Sequence, residues 1–141
     1  MTTALDSNIV IALWSEDDAL NVEAKGALEL ASARGSLVIC APVYVEIRAF
    51  PGRTEDKLDD FLSRTGIEVE WELEERIWRE AAKACNAYGI RRENPRKLPR
   101  RVAADFIIGA HATVLDYPLL TLDRRGFRAS FPALRFAPES R

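Results

Sequence analysis

The sequence has little of what several classes of enzyme require. Its two cysteines, Cys40 and Cys85, are far apart and form neither a CxxC pair nor a disulfide framework, so we expect both to be small buried hydrophobic residues. A single histidine, His111, excludes most metal sites that are built from several histidines. A Ser-His-Asp triad would need that histidine, but the sequence has no GxSxG motif. The pattern GxxxxGK[ST] is also absent, which excludes a nucleotide-binding P-loop.

Long hydrophobic runs are missing as well. No apolar segment approaches the roughly 20 residues that a membrane span requires. The N-terminal segment MTTALDSNIVIALW has neither a basic leader nor a small-residue cleavage site, so it does not resemble a signal peptide. We therefore expect no membrane partner and a cytoplasmic location. The 141 residues, 48% hydrophobic and 30% charged, suit one globular domain over residues 1–141.

Positive charge is not in excess overall, but it is concentrated locally. The net charge of −2 argues against a generally basic nucleic-acid-binding protein. Six of the eleven residues in RRENPRKLPRR, at 91–101, are nevertheless Lys or Arg. Most such runs are solvated loops. This run, however, lies next to the acidic residues described below, which makes it a candidate for phosphate contacts. Two arginines further along the chain are candidates for the same reason. The eight candidate residues are Arg91, Arg92, Arg96, Lys97, Arg100, Arg101, Arg124 and Arg125.

Strand-like and helical patterns alternate along the chain. The strand candidates are TTALD, SLVICA, IEVEW and PLLTLD, with LRFA as a short candidate for a last one. Helical patterns lie between them; the Pro-Gly pair at 51–52 stops one helix, and Gly89 is expected to end another. Alternation of this kind predicts right-handed crossovers and an α/β fold of three layers, with a mainly parallel sheet of roughly five strands flanked by helices.

Four acidic residues fall where ligands bind in such sheets, beyond the carboxyl ends of the strands. Asp6 closes the first strand, and Asp123 closes PLLTLD. Glu46 lies one turn into the helix after SLVICA, and Asp105 begins the apolar helix that leads into the last of these strands. If each acid is considered alone, the simplest interpretation is that Asp6 and Asp123 are ordinary strand-end or helix-cap residues and that Glu46 is a solvated helix residue.

Asp105 is harder to explain as an ordinary surface acid. Its helix, RVAADFIIGAHATVL, is apolar on nearly every side, and a buried carboxylate needs a partner. The adjacent basic run could supply an arginine. Alternatively, four carboxylates that converge would repel one another unless divalent cations lie among them, and hard cations prefer carboxylate oxygens. We therefore expect a site for a hard divalent cation formed by Asp6, Glu46, Asp105 and Asp123.

Four motifs resemble those of a known family. LDSN, APVYVEI, DFIIGAHA and LLTLDRRGF, in this order, resemble the acidic motifs of PIN-domain ribonucleases, and most of all the toxins of VapBC toxin–antitoxin pairs. The resemblance runs from Asp6 to about Phe131 and implies a PIN-like fold. It places the four family acids at the positions above, with Asp6 and Asp105 as the strongest candidates for metal ligands. It also implies supporting roles for Ser7, Asn8 and Thr121.

The resemblance implies a metal-dependent endoribonuclease, with Mg²⁺ or Mn²⁺ as the cation. A metal-activated water would attack a phosphodiester of RNA, leaving a 5′-phosphate and a 3′-hydroxyl. The family further implies a homodimer and a cognate antitoxin that covers the site. Trp14, Trp71 and Trp78 are candidates for such contact surfaces, although we expect core packing for at least two of them.

Other functions remain open from the residues alone. One alternative is a catalytically inactive PIN-like module that binds RNA or a protein. Aspartyl-phosphate phosphatases and receivers also place an acid after the first strand, but Asn8 stands where such a phosphatase has a second Asp, and LLTLDRR lacks the receiver lysine. His111 is rotated by about 120° from Asp105 around the helix, so we expect it to be structural. Gly109 shares a face with Asp105 and is expected to allow close packing or the approach of a metal.

Overall fold

The computed structural model describes residues 1–16, 19–91 and 102–138. In chain order, its helices and strands are β1 (Thr2–Leu5), α1 (Ser7–Trp14), α2 (Asn21–Arg34), β2 (Ser36–Cys40), α3 (Ala41–Arg48), α4 (Glu55–Thr65), β3 (Ile67–Glu70), α5 (Glu75–Arg91), α6 (Val102–Val114), β4 (Leu119–Leu120) and α7 (Arg124–Ser130). None of the helices in the described part of the chain is both long and apolar enough to cross a membrane.

The four strands form one parallel sheet in the order β3–β2–β1–β4. β1 lies inside the sheet, with Thr3 opposite Leu37 of β2 and Leu5 opposite Leu120 of β4. The alternation of strands and helices predicted a parallel sheet flanked by helices, and this prediction is confirmed. Because all strands run in the same direction, the residues that follow β1, β2 and β4 are carried to the same edge of the sheet.

The sheet has four strands among the described residues, one fewer than the rough number predicted. The candidate strand LRFA forms a single parallel bridge, between Phe136 and Leu119. Two hydrogen bonds hold it, from the Leu119 N–H to the Arg135 carbonyl at 2.8 Å and from the Ala137 N–H to the Leu119 carbonyl at 2.9 Å. Pro138 follows, and a proline has no N–H with which to extend the ladder.

The core lies on the sheet and is continuous through its central strands. Leu37, Val38, Ile39 and Cys40 of β2 are all buried, as expected for a strand that is covered on both faces. Cys40 is a buried thiol, as predicted, and burial raises its pKa to about 12. Cys85, which was also expected to be buried, is only partly buried. The chain therefore keeps β2 apolar to its last residue and places its acids beyond the strand ends.

One predicted helix end is wrong. Gly89 was expected to end α5, but the helix continues to Arg91. A glycine inside a helix costs only about 1 kcal/mol relative to alanine. The buried residues Ile77, Ala81 and Ala84 anchor the helix on the core, which outweighs that local cost.

Candidate active site at the carboxyl edge of the sheet

Asp6 occupies the junction between β1 and α1. Its backbone is extended, and its N–H donates to the Leu120 carbonyl at 3.0 Å, so the pairing of β1 with β4 continues through it. α1 begins at the next residue, Ser7, without an intervening loop. Asp6 stands at the N-cap position of α1, and the backbone N–H groups of Ser7 and Asn8 help to lower the pKa of its carboxyl. The carboxylate also contacts other side chains at the edge of the sheet.

The Asp6 carboxylate is buried, with only 4% of the residue exposed. The Thr121 hydroxyl donates to Oδ2 at 2.8 Å, and the Ser7 hydroxyl lies 3.3 Å from Oδ1. Burial raises the pKa of Asp6 above its ordinary value, although the hydrogen bonds from Thr121 and Ser7 act in the opposite direction. The chain thus keeps an acid in a position that disfavours its charge, which is typical of functional sites.

Ser7 links Asp6 to Glu46. The Ser7 hydroxyl also lies 3.1 Å from Glu46 Oε1. Glu46 is carried there by α3, which begins directly after β2 and has Pro42 in its first turn, a favoured position for proline. A hydroxyl has one proton and donates to one acceptor at a time, so Ser7 donates a hydrogen bond either to Asp6 or to Glu46.

Thr121 joins the two strand ends on which the site is built. Its hydroxyl donates to Asp6 and accepts hydrogen bonds from Asn8 Nδ2 at 3.3 Å and from the Asp123 N–H at 3.0 Å. Asn8 Oδ1 in turn accepts from the Leu122 N–H at 3.3 Å. The three residues predicted to support the site, Ser7, Asn8 and Thr121, therefore all contact an acid or the strand end that carries one.

Asp123 and Asp105 line a second part of this edge. They share a cavity of about 150 Å³ with Tyr88 and the aromatic residues Phe106, Phe127 and Phe131. Asp123 caps α7, and its Oδ1 accepts the Gly126 N–H at 3.3 Å. Asp105 lies in the first turn of α6, where a carboxylate interacts favourably with the helix N-terminus.

Asp105 is exposed, which corrects the expectation that it is buried among apolar residues. The buried part of α6 begins at Phe106 and continues through Ile108, Ala110 and Ala112. Asp105 and Ala103 are exposed in its first turn. Asp105 therefore needs no cation to offset burial, and its case as a ligand depends on the Asp123 carboxylate, which lines the same cavity.

The structure brings the four acids together in pairs. Asp6 and Glu46 meet at Ser7, Asp105 and Asp123 share a cavity, and Thr121 connects Asp6 with the backbone of Asp123. Within the described ranges, no group of three histidines, cysteines or acids is arranged to hold a metal ion. The donors nevertheless fit Mg²⁺ in chemistry, because this ion keeps several waters and takes only one or two carboxylates from a protein.

His111 lies in the core, as expected of a structural residue. It is 1% exposed, its Nε2 lies 3.5 Å from Glu70 Oε1, and its ring packs against Tyr117. Burial lowers the pKa of His111, and the Glu70 carboxylate only partly offsets this. Gly109, one turn after Asp105, allows close packing, since a Cβ at this position would lie 2.3 Å from the Phe131 ring.

The predicted phosphate-binding residues fall in two groups. Arg92, Arg96, Lys97, Arg100, Arg101 and the side chain of Arg91 lie outside the described residues. The Arg124 guanidinium donates to the carbonyls of Ala137 and Pro138, at 3.1 and 3.3 Å, and so holds the C-terminal segment. Arg125 is exposed beside Asp123.

Two of the three tryptophans differ from expectation. Trp14 packs on Phe61 with ring centroids 4.8 Å apart, but Trp71 and Trp78 are 61% and 48% exposed. The expectation of core packing for at least two of them is therefore wrong. Trp71 directly follows the end of β3, and Trp78 lies in the first turn of α5 and donates from Nε1 to the Leu73 carbonyl at 3.2 Å.

The sequence analysis missed one part of the site, a cleft beside Glu46 that is bordered by Phe50 and Pro51. The Pro-Gly pair predicted only the end of a helix. The signal available in the sequence was Phe50, the aromatic residue directly before that pair, because a tight turn fixes the direction of the backbone next to it.

Comparisons with known proteins agree with this fold. A sequence model of the PIN domain matches residues 3–131. No curated protein sequence matches the chain significantly. Among solved structures, the chain is similar to VapBC2 from Rickettsia felis bound to a DNA fragment from their promoter, with a TM-score of 0.67, 19% identity and coverage of 96% of this chain and 97% of that chain.

Two further solved structures are similar over nearly their whole length. VapBC-1 from nontypeable Haemophilus influenzae has a TM-score of 0.68 at 20% identity and covers 96% of each chain. A toxin–antitoxin complex from Klebsiella pneumoniae has a TM-score of 0.66 at 20% identity, with 98% of this chain and 99% of that chain covered. At these identities the likeness shows a common fold.

Proposed function

The chain belongs to the PIN-domain family, and from that premise we propose that it is a metal-dependent endoribonuclease, the toxin of a VapBC-type toxin–antitoxin pair. The observation that carries the proposal is the convergence of acids at one edge of the sheet. Asp6 and Glu46 both contact the Ser7 hydroxyl there, Thr121 links the Asp6 carboxylate to the backbone N–H of Asp123, and Asp105 lines the same cavity as Asp123. A catalytic cleft for phosphodiesters needs such a set of oxygen donors.

Asp6, Glu46, Asp105 and Asp123 are the residues that would hold Mg²⁺ or Mn²⁺. The bound ion would supply a water of lowered pKa and would offset the charge of the phosphate. Asp6 is firmly oriented, because Thr121 donates to one carboxylate oxygen and Ser7 contacts the other. Asp105 and Asp123 are exposed and line the same cavity.

A histidine base does not enter this proposal. His111 is buried against Glu70, and its neutral form is favoured by burial. The acids at the sheet edge are the groups positioned to accept the proton of the attacking water. Asn8 contributes by fixing the Thr121 hydroxyl, and through it the direction of the Asp6 carboxylate.

The partners follow from the family and the similar structures. RNA is the proposed substrate, and Arg125 together with the basic run at 91–101 is the proposed source of phosphate contacts. The similar structures include VapBC complexes, which supports a cognate antitoxin as the partner of this chain. We further propose that the chain forms a homodimer and acts on RNA in the cytoplasm.

Cleavage by purified, antitoxin-free protein tests the proposal. With structured RNA and Mn²⁺, we expect the wild type to cleave. Asp6→Asn and Asp105→Asn should each reduce the cleavage rate by more than about 100-fold, because the loss of a residue that only supports a metal ligand already lowers metal affinity or activity by 10- to 100-fold. Asp60→Asn is a matched control, since Asp60 is an exposed acid paired with Arg64 on α4. Cleavage that survives the Asp6 and Asp105 substitutions would come from a contaminant and would overturn the proposal.

A second function, binding without cleavage, is the alternative. It is favoured by the observation that no three acids of the described residues already form a metal site. Wild-type protein that binds RNA or an antitoxin, but cleaves no RNA with Mg²⁺ or Mn²⁺, would establish it. The four acids at the sheet edge would then serve recognition of a basic partner.

A further inference from the structure

A cleft of about 390 Å³ lies beside the Asp6–Glu46 pair, and we call it the Phe50 cleft. Its lining includes the apolar residues Ile11, Ala49, Phe50 and Pro51. It also includes the polar residues Ser7, Asn8 and Glu46. Its volume is in the range of pockets that hold small organic groups.

Phe50 is presented to this cleft by an ordered turn. The Arg53 N–H donates to the Phe50 carbonyl at 3.4 Å, and Gly52 has a φ of 80°. Proline at the second position and a left-handed glycine at the third are typical of a type II turn. Phe50 is 39% exposed at the first position of this turn, although a phenylalanine without a partner normally turns into the core.

Two further contacts fix the turn to the neighbouring helices. Arg48, the last residue of α3, donates from Nη1 to the Arg53 carbonyl at 2.6 Å. The Arg53 guanidinium lies 4.4 Å from the centroid of the Trp14 ring at the end of α1. The turn that carries Phe50 is therefore held by both helices that border the cleft, and its backbone needs little ordering when a ligand arrives.

The charges around the cleft indicate which group of a nucleic acid enters it. Glu46 lines the cleft and repels a phosphate, whereas Arg48 and Arg53 carry positive charge at the turn and attract the backbone outside it. A nucleobase has flat apolar faces and a polar edge. The faces of a base match the aromatic ring of Phe50, and its edge matches the hydroxyl of Ser7 and the amide of Asn8, which also line the cleft.

We propose that the Phe50 cleft binds a nucleobase of the RNA substrate, stacked on the Phe50 ring. This inference rests on the proposed function. Ser7 contacts both Asp6 and Glu46 and also lines the cleft, so the bound base belongs to a nucleotide beside the phosphate at the acids.

Phe50 variants and a short, random-sequence RNA that carries a fluorophore and a quencher test this assignment. A random pool is suitable because stacking on an aromatic ring tolerates every base. We expect Phe50→Ala to lower kcat/KM by about tenfold, mainly through KM, and Phe50→Trp to retain it within about twofold. Val45→Ala is the matched control, since Val45 is an exposed apolar residue of α3 that does not line the cleft, and its kcat/KM should not change.

An abasic substitution identifies the stacked nucleotide. Once the cleavage point of one RNA is mapped, each neighbouring base is removed in turn. Removal of the stacked base should lower kcat/KM of the wild type by about tenfold and should have no further effect on Phe50→Ala, because both changes remove the same contact.

The outcomes separate this inference from the proposed function. Equal kcat/KM for wild type and Phe50→Ala, or an abasic penalty of the same size in both, would overturn the base-binding assignment while cleavage itself stands. Loss of antitoxin binding in Phe50→Ala with unchanged cleavage would assign the cleft to a protein side chain instead. Absence of cleavage by every variant, wild type included, would reject the nuclease and the cleft together.

Discussion

At the scale of single residues, the orientation of the Asp6 carboxylate depends on which acceptor receives the proton of the Thr121 hydroxyl. Thr121 accepts hydrogen bonds from Asn8 and from the Asp123 backbone, so its single proton is left for Asp6. The family resemblance predicted that Thr121 and Asn8 matter. It did not predict this connection, because the partners of a side chain depend on the pairing of β1 with β4, which sequence patterns do not specify.

Removal of this hydroxyl should destabilise the fold. Thr121→Val keeps the shape of the side chain but leaves a buried Asp6 oxygen, an Asn8 amide and a backbone N–H without their partner. We expect a loss of about 1–3 kcal/mol in the free energy of unfolding, measured with urea. Thr121→Ser keeps the hydroxyl and should retain more of the stability than Thr121→Val. Equal stability of Thr121→Val and wild type would show that the hydroxyl does not connect the strand ends.

At the scale of elements, α6 carries a site residue at its start and is packed tightly at its centre. The apolar pattern of α6 predicted burial of the whole helix. Ala103 and Asp105 in the first turn are instead exposed, because periodicity does not tell which turn of a helix extends past the core. At Gly109 the Phe131 ring lies directly against the helix backbone.

Two glycine substitutions distinguish packing from helix propensity. Gly109→Ala should lower the free energy of unfolding by about 1–3 kcal/mol, because the added Cβ would overlap the Phe131 ring. Gly26→Ala in α2, where a Cβ meets nothing within 4 Å, should instead raise it by about 0.5–1 kcal/mol. Chemical denaturation of both variants measures the difference. A stabilised Gly109→Ala would mean that α6 and Phe131 are not in contact.

The middle of α6 also makes the stability of the protein depend on pH. Burial lowers the pKa of His111 below its ordinary value of 6.5. The unfolded chain therefore binds a proton more readily than the folded one, so this contribution to stability is complete above pH 6.5 and is lost as pH falls toward the folded pKa. The Glu70 carboxylate at 3.5 Å and the Tyr117 ring are the groups that face the imidazole.

Urea unfolding at pH 7.5 and 5.5 measures this dependence. Wild type should be less stable at pH 5.5, and His111→Gln should lose less stability between the same two pH values. Because the chain has one histidine, NMR titration of His111 assigns the effect without ambiguity. A His111 pKa above 6.5 would show that Glu70 outweighs burial and would reverse the sign.

At the scale of the whole molecule, the sequence predicted the sheet edge at which the acids meet. Asp6 and Asp123 follow strands, Asp105 lies in the first turn of α6, and Glu46 lies in the helix that follows β2. Parallel strands carry their ends to one edge of the sheet. The pairing of the acids was not predictable, because it depends on how α3 and α6 cross that edge. The Phe50 cleft was missed for a related reason, since a turn pattern predicts local geometry but not the helices on either side of it.

The central claim is that Asp6, Glu46, Asp105 and Asp123 bind the divalent ion that cleavage of the RNA requires. Mn²⁺ titration of the purified chain, followed by electron paramagnetic resonance, tests it without any RNA. We expect saturable binding that Asp6→Asn and Asp123→Asn each weaken by at least about tenfold and that Asp60→Asn leaves unchanged. Identical Mn²⁺ affinity for wild type and a variant that lacks both Asp6 and Asp123 would contradict the account.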